Sequence, residues 1–148
     1  MTFAGKPEGR APHGSSEVEL FTPKLKKLQQ VLALADFTDN TNTTGYADFD
    51  EQLPAGAVPL GWKAVVSTGF TGDTTAVIQV GVAGDLDRFS NVTDQSVLAA
   101  GTVGSRVADD ALDGIAAAQT PRVTVTGTAD FTSIVAGAMT VELYYIET

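Results

Sequence analysis

The residues of this 148-residue chain that could do chemistry are carboxylates. Asp85 and Asp87 sit in VIQVGVAGDLDRFSN, where an alternating apolar run breaks into a loop. Asp48, Asp50 and Glu51 form a second cluster, and Asp109, Asp110 and Asp113 a third. Two carboxylates and a carbonyl could hold calcium, but D-x-D without a third carboxylate falls short of an EF-hand loop. The other reading of Asp85 and Asp87 is a strand turning a corner. Asp48 with Asp50 or Glu51 could pair as glycosidase carboxylates, or end a strand in solvent before Pro54. Asp109, Asp110 and Asp113 fit the polar face or cap of a short helix to about Ala118, with Leu112, Ile115 and Ala116 at helical spacing.

The other tools of catalysis are scarce. There is no cysteine, so disulfides, thiol nucleophiles and Cys-ligated zinc are excluded. His13 is the single histidine and lies in a Gly/Pro-rich stretch. No G-x-S-x-G, Walker A or G-x-G-x-x-G motif is present. These absences argue against an enzyme and against any cofactor or metal.

Charge is unevenly placed. The net charge is −9, yet residues 1–30 carry five basic and three acidic residues, and residues 31–148 carry four basic and fifteen acidic ones. The acidic body repels phosphates and argues against nucleic acid. No apolar run approaches the ~20 residues of a membrane-spanning helix. The first residues lack a charged segment followed by an apolar one, so no signal peptide is expected.

The elements that must position these residues are strands. Residues 1–23 hold three prolines and three glycines and form neither a regular helix nor a central strand, so they are expected to be an extended arm. Residues 24–148 are expected to be the folded domain. Lys24–Asp36 fits helical or strand spacing, and the β character of the later segments favours a strand over Leu28–Asp36. Strand patterns recur over Tyr46–Leu53, Val58–Thr68, Thr75–Val82, Pro121–Thr128 and Ala138–Glu147, divided by turn clusters such as Asp39–Gly45. Trp62, Ala64 and Val66 share one face. In the last strand Met139, Val141, Leu143 and Tyr145 oppose Thr140, Glu142, Tyr144 and Ile146. Asp85–Asp113 reads as a long excursion with short pieces. Many short strands with hardly any helix predict an all-β sandwich or barrel.

The segments LPAGAVPLGWKAVVSTGFTGDTTAVIQVGVAGDLDRFSN, AAGTVGS and TSIVAGAMTVELYYIE, taken in that order, resemble virion structural proteins of tailed bacteriophages. They are similar to capsid decoration or cement proteins with a jelly-roll-like antiparallel β-sandwich, over roughly residues 28–148. The resemblance implies that VGVAGDLDRF is a strand leaving the sheet, with Gly81 and Gly84 permitting the bend, Asp85 and Asp87 accepting backbone N–H bonds as Asx-turns do, and Phe89 returning to the core. The resemblance implies a non-enzymatic protein on the capsid surface, made in the host bacterial cytoplasm. It implies binding to the major capsid protein lattice and a homo-oligomer, dimer or trimer, with no membrane, nucleic acid or small-molecule substrate. Expected partner contacts are Phe3, Arg10, Leu20 and Phe21 of the arm, with Lys24, Lys26 and Lys27. A receptor- or carbohydrate-binding sandwich of a tail or head fibre is the alternative. It needs clustered exposed aromatics, and the chain has one Trp and three Tyr.

Overall fold

The computed structural model describes residues 24–90, 95–107 and 114–147. These residues form nine strands and two three-residue 3₁₀ turns, at Leu34–Asp36 and Phe131–Ser133. The strands are β1 (Lys24–Ala33), β2 (Thr38–Asp39), β3 (Thr44–Asp48), β4 (Val58–Thr71), β5 (Ala76–Gly81), β6 (Gln95–Ser96), β7 (Gly101–Arg106), β8 (Arg122–Gly127) and β9 (Ala136–Glu147).

They make two sheets, ordered β1-β9-β4-β7 and β2-β3-β8-β5-β6, with antiparallel pairing throughout. The chain crosses repeatedly between the sheets, so strands distant in sequence become neighbours. This is a jelly-roll-like sandwich. Period-two alternation builds its core. Leu28 and Leu32 of β1, Trp62, Ala64 and Val66 of β4, and Met139, Val141 and Leu143 of β9 face Ala47, Ile78, Val80, Val123 and Val125 of the other sheet, all buried. Each large side chain so buried contributes ~1.5–3 kcal/mol. Trp62 is a core residue whose Nε1–H donates to Ser105 Oγ at 2.9 Å.

Several details depart from the sequence reading, among them the strand expected over Tyr46–Leu53, which is β3 at Thr44–Asp48. β1 begins at Lys24, because all ten of its residues pair with β9, from Lys24 opposite Glu147 to Ala33 opposite Ala138. The strand ends when Leu34–Asp36 turns in a 3₁₀ turn. The Asp85–Asp113 excursion contains β6 and β7. Residues 108–113 lie outside the described residues, and Gly114–Ala118 is not helical. Ile115 instead donates its N–H to Ala57 O and accepts from Gly56 N–H, and Gln119 exchanges backbone bonds with Leu53.

Two glutamine side chains tie the sheets together at their margins. Gln30 of β1 accepts from Asp50 N–H at 2.9 Å and donates to Asp50 Oδ2 at 3.2 Å. Gln95 of β6 donates to Gly104 O at 2.8 Å and accepts from Gly104 N–H at 3.0 Å. It therefore satisfies both backbone groups of a residue on the outer edge of β7, as a further strand would.

Candidate interaction surface

The corner after β5 resolves the first carboxylate cluster. Val82 N–H donates to Asp85 O at 2.9 Å, and Asp85 N–H donates back to Val82 O at 3.1 Å. Phe89 N–H donates to Val80 O, Ser90 Oγ accepts from Val80 N–H, and Phe89 is fully buried. The loop thus folds back along β5, where β6 has ended. Gly81 permits this, since a Cβ there would stand 2.2 Å from Asp85 O. Gly84 has φ +89°. The expected Asx-turns do not form here: backbone carbonyls of Asp85 and Asp87 make the turn bonds, and the Asp85 carboxylate faces Arg88 at 3.9 Å. Asp73 plays that carboxylate role elsewhere, accepting from the N–H groups of Thr74, Thr128 and Ala129. The Ala129 N–H, aided by those of Thr74 and Thr128, holds its carboxyl below the usual range.

The second cluster is also structural. Asp48 receives both ends of the Arg122 guanidinium, at 2.7 and 3.0 Å, and that guanidinium lies 3.8 Å over the Tyr46 ring. Asp50 is engaged by Gln30. The two carboxylates thus serve different partners. No group of three or more His, Cys, Asp or Glu residues that could hold a metal occurs among the described residues.

The outer face of the four-stranded sheet has a different character. Register places Leu25, Ile146 and Val58 in one row, Gln29, Glu142 and Lys63 in another, and Val31, Thr140 and Val65 in a third. Leu25 is 70% exposed, Val31 66% and Val65 41%, and among the described residues only Val135 is another large apolar side chain so exposed. Between these apolar rows lies a buried carboxylate. Glu142 is held by Lys27, and Lys63 Nζ lies 3.2 Å from Glu142 Oε1. The bond from Lys27 and then that from Lys63 hold the Glu142 carboxyl below its ordinary range, and Glu142 in turn raises Lys63. Three strands are thereby cross-linked on one solvent face.

Of the expected contact residues, Phe3, Arg10, Leu20 and Phe21 lie outside the described residues, as does His13. Lys24, Lys26 and Lys27 all lie on β1, the edge strand of this sheet. The pleat separates them: Lys27 joins the outer face, and Lys24 and Lys26 lie on the opposite side with Leu28. Lys26 makes an exposed ion pair with Glu147 at 3.7 Å, worth little in water. The free edge of β1 is a feature that residue types alone do not reveal. Ala33 N–H donates to Asp36 Oδ2 at 2.8 Å, so it points away from β9. By alternation, the backbone groups of Leu25, Lys27, Gln29 and Val31 point the same way, and no described strand pairs with them.

No family model matches the chain, and no curated protein sequence matches it. Solved structures do. A chain of the capsid asymmetric unit of cyanophage Pam1 superposes with a TM-score of 0.57 at 20% identity, over 86% of this chain and 88% of that one. A chain of the capsid of Ralstonia phage GP4 gives a TM-score of 0.53 at 18% identity, over 86% of each chain. At these identities the likeness is one of fold: the jelly-roll-like sandwich of this chain is a fold found in phage capsids, and it is shared over most of both chains.

Proposed function

We infer that this chain is a structural component of a phage particle, a decoration or cement protein that binds the assembled major capsid protein shell and stabilises it. One observation carries this reading: the sandwich matches chains of two phage capsids over most of the length of each partner. The mechanism is mass action. A protein that binds the assembled lattice and not its separated subunits shifts the equilibrium toward the lattice. The sandwich supplies a rigid footprint, and the apolar rows beside the Lys27–Glu142–Lys63 cluster give that footprint a desolvatable surface. Residues 1–23 add reach, so a second contact forms at high effective concentration. Phe3, Leu20 and Phe21 would anchor it, with Arg10, Lys24 and Lys26 meeting acidic groups. Carbohydrate binding gains no such support, since the Tyr46 ring is covered by Arg122.

Co-sedimentation with empty shells tests the reading. The full chain is expected to pellet with assembled shells, not with free capsid subunits, and to raise the temperature at which shells come apart. Deleting residues 1–23 is expected to leave the melt of the sandwich nearly unchanged and to weaken attachment tenfold or more. Equal affinity for shells and free subunits overturns the stabilising role.

A further inference from the structure

We propose that the free edge of β1 takes up residues 17–19 of a second copy of this chain as an added strand. Three observations converge on this site. First, no described strand pairs with this edge. On β7, Gln95 occupies the outward backbone groups of Gly104, whereas on β1, among the described residues, Asp36 caps Ala33 at one end. The outward N–H and C=O groups of Leu25, Lys27, Gln29 and Val31 form a four-residue template for strand addition.

Second, the sequence carries a complementary segment. β1 opens with Lys24-Leu25-Lys26, and seven residues earlier stands Glu17-Val18-Glu19. Paired in extended form, the two carboxylates meet the two ammonium groups on one side of the sheet. Val18 meets Leu25 on the other, covering a side chain that is 70% exposed. Both triplets are symmetric about the apolar residue, so the match holds for parallel and antiparallel addition alike. Lys24 has no ion pair among the described residues, and the pair of Lys26 with Glu147 is long and solvent-exposed.

Third, the chain cannot easily serve its own edge. An antiparallel return with Glu19 opposite Lys24 leaves Leu20-Phe21-Thr22-Pro23 as the loop. Pro23 has a fixed negative φ and cannot take a left-handed position, and it holds Thr22 in extended backbone. No Gly, Asn or Asp is present to supply the positive φ that short hairpin loops use. The segment therefore runs on from β1 and reaches another molecule, where the same edge is available. Copies linked this way would bind a repeating lattice through several footprints at once.

The full chain in solution, without any shell, tests this, so its failure and that of the shell-binding reading are separable. Because the chain has no cysteine, single thiols report cleanly. Chains carrying Val18→Cys, mixed with chains carrying Leu25→Cys and oxidised, are expected to give a disulfide-linked dimer at least tenfold more than either alone. In sedimentation, Glu17→Lys with Glu19→Lys is expected to weaken self-association tenfold or more, and adding Lys24→Glu with Lys26→Glu to restore it. A chain monomeric at all concentrations, charge reversal without effect or without rescue, or a Val18→Cys/Leu25→Cys chain that closes only on itself overturns the proposal.

Discussion

Replacing Gly81 by alanine puts the corner after β5 to a test of sign as well as size. Gly81 has no positive φ, so on backbone grounds alone alanine there gains ~0.4–1 kcal/mol by narrowing the unfolded ensemble. The structure predicts the reverse. The new Cβ would stand 2.2 Å from Asp85 O and 2.5 Å from Leu86 C and O, all backbone atoms. Carbon and oxygen in contact sit about 3.3 Å apart, so the loop must retreat by about 1 Å. That loop holds the Val82–Asp85 bonds, the Phe89–Val80 bond and the buried Phe89 ring. Losing one or two of those bonds costs ~1 kcal/mol each, and partial exposure of Phe89 adds a share of ~1.5–3 kcal/mol. A net loss of about 2–4 kcal/mol is expected, and valine should cost more. Urea melts read this as a lower midpoint at unchanged slope. Gly84→Ala is the control: its φ of +89° strains alanine, but nothing lies within 4 Å, so a cost of only about 1 kcal/mol is expected. A Gly81→Ala chain as stable as the parent would refute the close-approach argument.

Other contacts set further outcomes. Glu142 has a depressed pKa, so its contribution is complete above the ordinary value near 4.5 and is lost as pH falls through the lower folded value. Glu142→Gln should therefore destabilise the chain at neutral pH, with the gap to the parent closing below pH 4.5 in thermal melts. Lys63 is raised above 10.5, so its share is present below that value and disappears at higher pH, sharpening alkaline unfolding of the parent relative to Glu142→Gln. Gln95→Ala strips two backbone groups of their partner and should cost about 1–2 kcal/mol, with faster hydrogen exchange at Gly104. Chelator should leave the melting midpoint unchanged and Asp87→Asn should be nearly neutral, because backbone carbonyls rather than carboxylates make the corner. A midpoint that drops with EDTA and returns with calcium would assign a metal to Asp85 and Asp87.

Alternation along single strands makes the fold class readable from the residues alone. Trp62, Ala64 and Val66, and Met139, Val141 and Leu143, recur every second residue and occupy the core as that spacing requires. The bend at Gly81 and the return of Phe89 to the core are expectations from the resemblance of that segment, and the structure shows both. What tertiary structure decided was set by groups far apart in the chain. Three lysines near its start read as partner contacts, yet Lys27 is committed to Glu142, 115 residues away, because β1 pairs with the last strand. Gly101–Arg106 has two glycines and a single valine and no strand signal of its own. It becomes a strand because β4 offers a ladder, and Gly104 lies so near Trp62 O that a Cβ would stand 2.4 Å from it. The helical spacing of Ile115 and Ala116 gave way to backbone pairing with residues 53–57. Periodicity reports which way side chains point along one segment, but an edge is open or closed according to which strand arrives beside it. Only the packed sandwich determines that Gln95 caps Gly104 on the edge of β7 while no described strand pairs with the outer edge of β1.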